Sequence, residues 1–111
     1  MMGDDGAPGD YNEMSMCLRT YTIGGEVLVA VCDSELLGQR FTEKELQLEV
    51  SVSFFGQELA SAAMLEMALE EATIANFVGE RAVAWAIAFE YVDRENVLRI
   101  DGVPCAQMVR M

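Results

Sequence analysis

Hydrophobic residues are densest between Thr73 and Val92, TIANFVGERAVAWAIAFEYV. Ile74, Phe77, Val78, Trp85, Phe89 and Val92 recur at steps of three and four, the spacing that stacks side chains on one helical face. Ala75, Ala82, Val83, Ala84, Ala86, Ile87 and Ala88 fill most of the remaining circumference, so the pattern predicts a buried helix with other elements packed around it. About 20 residues would just cross a bilayer. Asn76, Glu80, Arg81 and Glu90 interrupt the run, however, and an ionised side chain at bilayer depth costs several kcal/mol. The stretch therefore reads as the core helix of a soluble domain. Gly79 costs about 1 kcal/mol relative to alanine inside a helix, which predicts a kink or a break between two helices across 76–80.

The flanking patterns predict strands and a second helix. MCLRTYTI and EVLVAVC flank Gly24-Gly25, a pair able to supply the positive φ angles of a two-residue hairpin turn. In that register, positions whose numbers sum to 49 face each other, and Cys17 falls opposite Cys32. Asp33 or Ser34 is placed to cap one turn over SELL, which Gly38 ends. Leu46, Leu48, Val50, Val52 and Phe54 alternate with polar residues, the strongest strand signal in the chain, with Gly56 as its stop. Ser61 to Ala72 predicts a helix capped by Ser61, with Ala62, Leu65, Leu69 and Ala72 inward and Glu66, Glu70 and Glu71 outward. Met64 and Met67 read as core filling. A second hairpin, 97–100 with 103–109, turns at Asp101-Gly102 and sets Arg99 opposite Pro104. Together these elements predict an α+β domain: a mostly antiparallel sheet of two β-hairpins plus the alternating strand, with two helices on one face.

Composition narrows the chemistry. The 111 residues are 52% hydrophobic, enough for one core without a metal or a disulfide. Residues 1–15, rich in Gly and Asp, read as a flexible extension, leaving 16–111 as the single compact domain. A formal charge of −12, with Lys44 the sole lysine, weighs against non-specific binding to nucleic acid and against anionic membranes. A salt-rich cytosol, which screens self-repulsion, would account for the same acidity. The absence of histidine excludes a Ser-His-Asp triad and histidine metal ligation. Cys17, Cys32 and Cys105 lack the spacing of a zinc or redox site and read as reduced thiols, Cys17 and Cys32 as structural ones. No basic-then-apolar leader marks the first ten residues, so a cytoplasmic location is expected. Neither a metal nor a cofactor is expected.

Three blocks in order, GGEVLVAVCDSELLG (24–38), TIANFVGERAVAWAI (73–87) and VLRIDGVPCAQMVRM (97–111), resemble the archaeal family catalogued as domain of unknown function 424. The resemblance implies a small archaeal cytosolic domain and brings no reaction, so no catalytic residue carries over. It also implies histidine in many relatives where Cys105 stands here, so a metal or acid–base role does not transfer to that position.

Two constellations could carry function. Asn76, Gly79, Glu80 and Arg81 surround the interruption in the apolar run. Exposed backbone N–H groups at a helix start, together with the Arg81 guanidinium, would hold a phosphate or carboxylate, with Gln107 or Cys105 close by. Arg19, Tyr21, Arg99 and Arg110 fall on predicted strands. As neighbours they would give a sheet surface for stacking and contacting single-stranded RNA. Acidic pairs such as Glu70-Glu71 read as solvated surface. The leading expectation is a non-enzymatic binding or adaptor domain, with RNA or a ribosome-associated assembly as partner. The alternatives are an anion-binding protein or enzyme at 76–81, and an obligate homodimer joined through exposed strand edges.

Overall fold

The structure, a computed structural model, describes residues 15–110. The expected extension lies outside them apart from Ser15. Strands β1 (Met16–Ile23) and β2 (Glu26–Asp33) form the first hairpin in the predicted register, with Cys17 opposite Cys32. Gly24 and Gly25 take φ of +55° and +86°, which the two-residue turn requires. Both cysteines are buried free thiols.

After a 3-10 turn at Ser34–Leu36, β3 (Arg40–Glu43) and β4 (Leu46–Glu49) make a small separate hairpin. The alternating run from Leu46 to Phe54 is thus a strand only in its first half. The Ser51 hydroxyl accepts a hydrogen bond from the Phe54 amide at 3.1 Å and starts a single helical turn, α1 (Val52–Phe55). A side-chain acceptor that offers the backbone a local partner defeats the period-2 pattern here. Strand β5 (Leu59–Ala60) and helix α2 (Ala62–Glu70) follow, the latter capped as predicted by Ser61, whose hydroxyl accepts from the Met64 amide. Leu65 and Leu69 are fully buried, whereas Met64 and Met67 are exposed rather than filling the core.

The apolar stretch divides differently from its periodicity. Residues 74–78 are an extended strand, β6 (Ile74–Val78), and only α3 (Glu80–Ala88) is helical. The predicted break at Gly79 is present, but it separates a strand from a helix. A short apolar run buried on both faces has no period of its own, and Ile74, Phe77 and Val78 suit a strand. After a 3-10 turn at Arg94–Asn96, β7 (Leu98–Ile100) and β8 (Val103–Val109) form the last hairpin, with Arg99 opposite Pro104 as predicted.

The main sheet runs β5-β1-β2-β6-β8-β7, antiparallel except for the central β2–β6 pair, which is parallel. The third internal strand is therefore β6 and not the alternating segment, which sits in the outer hairpin. One face carries Val29, Val31, Ala75 and Phe77 against Leu65 and Leu69 of α2 and Ala82, Val83 and Ala86 of α3. The other carries Cys17, Ala30, Cys32 and Val78 beneath Val50, Phe55, Phe41 and Leu48. Both helices pack on one face, and the β3–β4 hairpin with α1 roofs the other.

The parallel seam is locked where β2 and β6 end. Asp33 is 2% exposed, and its carboxylate accepts from the Arg81 amide at 3.1 Å and the Ala82 amide at 2.9 Å. It therefore caps α3 rather than the neighbouring 3-10 turn, where it makes no side-chain bond. Gly79 passes against this carboxylate with φ +112°, and a Cβ there would lie 2.3 Å from Asp33 Cγ. Its amide donates to the Pro104 carbonyl at 2.9 Å. Gly79→Ala should cost roughly 2–4 kcal/mol through left-handed strain and the clash. Asp33→Ala should cost a similar amount by stranding two helix-start amides, that of Ala82 buried and that of Arg81 partly so. Urea unfolding of both variants measures these losses.

Candidate functional site

The gap between the sheet and its hairpin roof is a cleft of about 510 Å³. Its floor is set by the β6–β8 register, which places Asn76 directly opposite Gln107 and Val78 opposite Cys105. Directly opposed residues on one face have Cβ atoms ~4.5–5.5 Å apart, so the two amide side chains lie side by side. Phe54 and Phe55 of α1 and Leu48 of β4 form the wall, with Leu98, Asn96 and Glu49 also lining the cleft. The wall is held in place by long-range contacts. Arg19 and the Tyr21 hydroxyl, on β1, donate to the Ser53 and Phe54 carbonyls at 3.3 and 2.6 Å, and Tyr21 stacks on Phe54 at 5.6 Å. At the far side the Asp101 amide donates to the Glu43 carboxylate at 2.7 Å, tying the roof to the last hairpin.

The chemistry of this cleft is largely uncharged. Among the described residues no arginine or lysine lines it, and the one carboxylate that does, Glu49, lies 3.6 Å from the Arg40 guanidinium. Burial pushes the Cys105 thiol above its ordinary value, so it stays protonated at neutral pH. The Asn76, Asn96 and Gln107 side chains make no hydrogen bond within the protein among the described residues. Two amides on one floor therefore offer unused donors and acceptors beside an aromatic wall.

The family model for a protein of unknown function (DUF424) matches residues 21–111. The chain belongs to this family. An uncharacterized conserved protein from Methanopyrus kandleri, known from its crystal structure, shares the DUF424 chain's fold with a TM-score of 0.71 and 23% identity. The match covers 86% of this chain and 94% of that one. At such identity the likeness speaks for the fold alone. No curated protein matches the sequence.

Within the DUF424 fold the first predicted cluster divides. Asn76 and Gln107 meet in the cleft with Cys105, while Gly79, Glu80 and Arg81 lie at the start of α3. The helix-start amides of Arg81 and Ala82 are already bonded to Asp33. The Arg81 guanidinium is engaged by the Ser15 hydroxyl at 2.9 Å and by the Glu35 carboxylate. Glu80 pairs with Arg99 at 3.0 Å.

The second cluster does not form one patch. Arg19 and Tyr21 brace α1 on the hairpin side of the sheet. Arg99 faces the helix side, bonded to Glu80 and the Gly102 carbonyl. Arg110, also on the helix side, donates to the Glu70 and Ala72 carbonyls at 3.2 and 3.1 Å, neutralising the negative end of α2. Sequence reasoning missed Phe54, Phe55 and Leu48 as cleft residues because a continuous strand would have sent Phe54 and Phe55 to opposite faces. It missed the role of Asp33 because the capped helix starts some 48 residues downstream. Among the described residues no helix is long and apolar enough to cross a membrane, and no group of three Cys, Asp or Glu side chains is gathered for a metal.

The acid behaviour of the α3 cap follows from its surroundings. Burial pushes the Asp33 carboxyl above its ordinary value, against the pull of the Arg81 and Ala82 amides. Its contribution to stability is then complete below the ordinary carboxylate range and is lost as pH rises through the raised native pKa. Glu35 runs the opposite way. Its hydrogen bond to Arg81 lowers its pKa, so its contribution holds above the ordinary range and is lost as pH falls through the lowered native value. The stability of the wild type relative to Asp33→Asn should therefore decline as pH rises through the acid range, then level off. A gap that widens with pH in thermal unfolding would show that the amide donors outweigh burial.

Proposed function

We propose that this domain is a non-enzymatic binding module that seats an uncharged ligand in the cleft between the main sheet and the β3–β4 hairpin. The observation that carries the reading is the pairing of Asn76 with Gln107 on the cleft floor, their amides unused among the described residues and most of the lining around them apolar. A pocket of this size, mostly apolar with a few convergent polar groups, has the form of a small-ligand site. Catalysis by a tuned acid or base draws no support from it, because Cys105 is held protonated. An anion at residues 79–81 draws none either, since the Asp33 carboxylate already occupies the helix start. The separated arginines, each engaged within the fold, offer no joint surface to an RNA or ribosomal partner.

Titrating the isotopically labelled full chain with benzamide, a flat neutral amide, should shift the side-chain amide signals of Asn76 and Gln107. Gln107→Leu should weaken that binding roughly tenfold, the loss of about 1.4 kcal/mol. Inorganic phosphate should leave the cleft unmoved. No shift at Asn76 and Gln107 with benzamide, and shifts at Gly79–Ala82 on adding phosphate instead, would overturn the reading.

One observation favours a second reading, the homodimer. Among the described residues no strand pairs with β1 beyond Cys17 on its outer side, so the edge from Arg19 to Ile23 is open. Light scattering should then give twice the 12.2 kDa chain mass. A monomer mass at all concentrations sinks it.

A further inference from the structure

We infer that the cleft recognises a nucleobase, held in plane by Asn76 and Gln107. The inference rests on the binding-module reading above and gives the ligand its chemical class.

Three features converge on it. The first is hydrogen-bond complementarity. Each primary amide carries one acceptor oxygen and two donor hydrogens, and the two side chains stand directly opposite on neighbouring strands. Such an amide pairs two-pronged with the adjacent donor and acceptor atoms on the edge of a base, the geometry by which Asn and Gln read adenine. Neither amide is engaged within the described protein, so a base edge would break no existing bond.

The second feature is the wall. Phe54 and Phe55 stand at 89° to one another with ring centroids 5.0 Å apart. Tyr21 covers one face of Phe54, and the rest of that ring borders the cleft. Aromatic side chains beside polar readers suit a flat heterocycle, which gains stacking contact at little cost in order.

The third feature is charge. Among the described residues the cleft lining has no cation to hold a phosphate, and Arg40, outside the lining, lies 3.6 Å from Glu49 in an exposed pair. Recognition is therefore of the base, with sugar and any phosphate directed out of the opening. An amide-bearing peptide could satisfy the same two side chains, but it would leave the aromatic wall without a flat partner.

The test uses the labelled full chain with benzamide as reference probe. Adenosine, guanosine, cytidine and uridine are titrated separately, followed by single-stranded hexaribonucleotides of the same bases. At least one nucleoside should shift the Asn76 and Gln107 side-chain signals and bind about tenfold tighter than benzamide. Its triphosphate should bind equally well, because the phosphates lie outside. Asn76→Leu and Gln107→Leu should each weaken it roughly tenfold. Should Asn76→Leu fail to fold, the exposed Gln107 position carries the test alone.

A hexanucleotide that binds more tightly than its nucleoside assigns the base to single-stranded RNA. Equal affinities assign it to a free nucleoside. If benzamide shifts the cleft and no nucleoside does, the base inference falls while the binding module stands. If neither shifts it, both fall.

Discussion

The architecture depends on one buried carboxylate. Asp33 ends one central strand and caps the helix that follows the other, so a single side chain ties the end of β2 to the start of α3. The price is burial of a charged group, offset by two backbone donors at a helix N-terminus and by the nearby Arg81 guanidinium. Gly79 is the necessary counterpart. Only a residue without a Cβ can turn the chain from strand to helix against that carboxylate. With α3 fixed on one face of the sheet, the other face is free for the hairpin roof and the cleft beneath it.

Local signals in the sequence were sound wherever the deciding interaction was itself local. Gly24-Gly25 and Asp101-Gly102 set both hairpin registers, and Ser61 set the start of α2, because turn and cap chemistry act within four residues. The signals failed where a distant partner or a competing local bond decided the matter. Residues 74–78 are extended because β2 and β8 flank them, a fact that period-counting along one segment cannot contain. Residues 46–54 alternate throughout, yet the Ser51 hydroxyl ends the strand. Of the candidate site, Asn76 and Gln107 were identifiable as residues. Their meeting across two strands was not, because it requires the segment before Gly79 to be a strand.

The arginines show how a cationic surface inferred from sequence can dissolve. Each is consumed by the fold: Arg19 braces α1, Arg99 meets Glu80, and Arg110 closes the end of α2. In a chain with 19 acidic and 7 basic residues, most cations find a partner at home. The cleft, by contrast, is lined among the described residues mainly by neutral groups, amides and rings. These are also the groups least weakened by high ionic strength, since salt screens charges and not amide hydrogen bonds.

The parallel seam has a kinetic consequence. Both main-sheet hairpins can form from neighbours in sequence, but joining β2 to β6 brings together residues about 46 apart, as where Val27 meets Thr73. Closing so long a loop costs entropy that is recovered only when the whole seam zips, so it belongs late in folding. The cleft floor lies on β6 and β8, and its wall is braced from β1. The cleft is therefore completed by the final assembly step, absent while the outer ribbons are made and present only when the centre is closed.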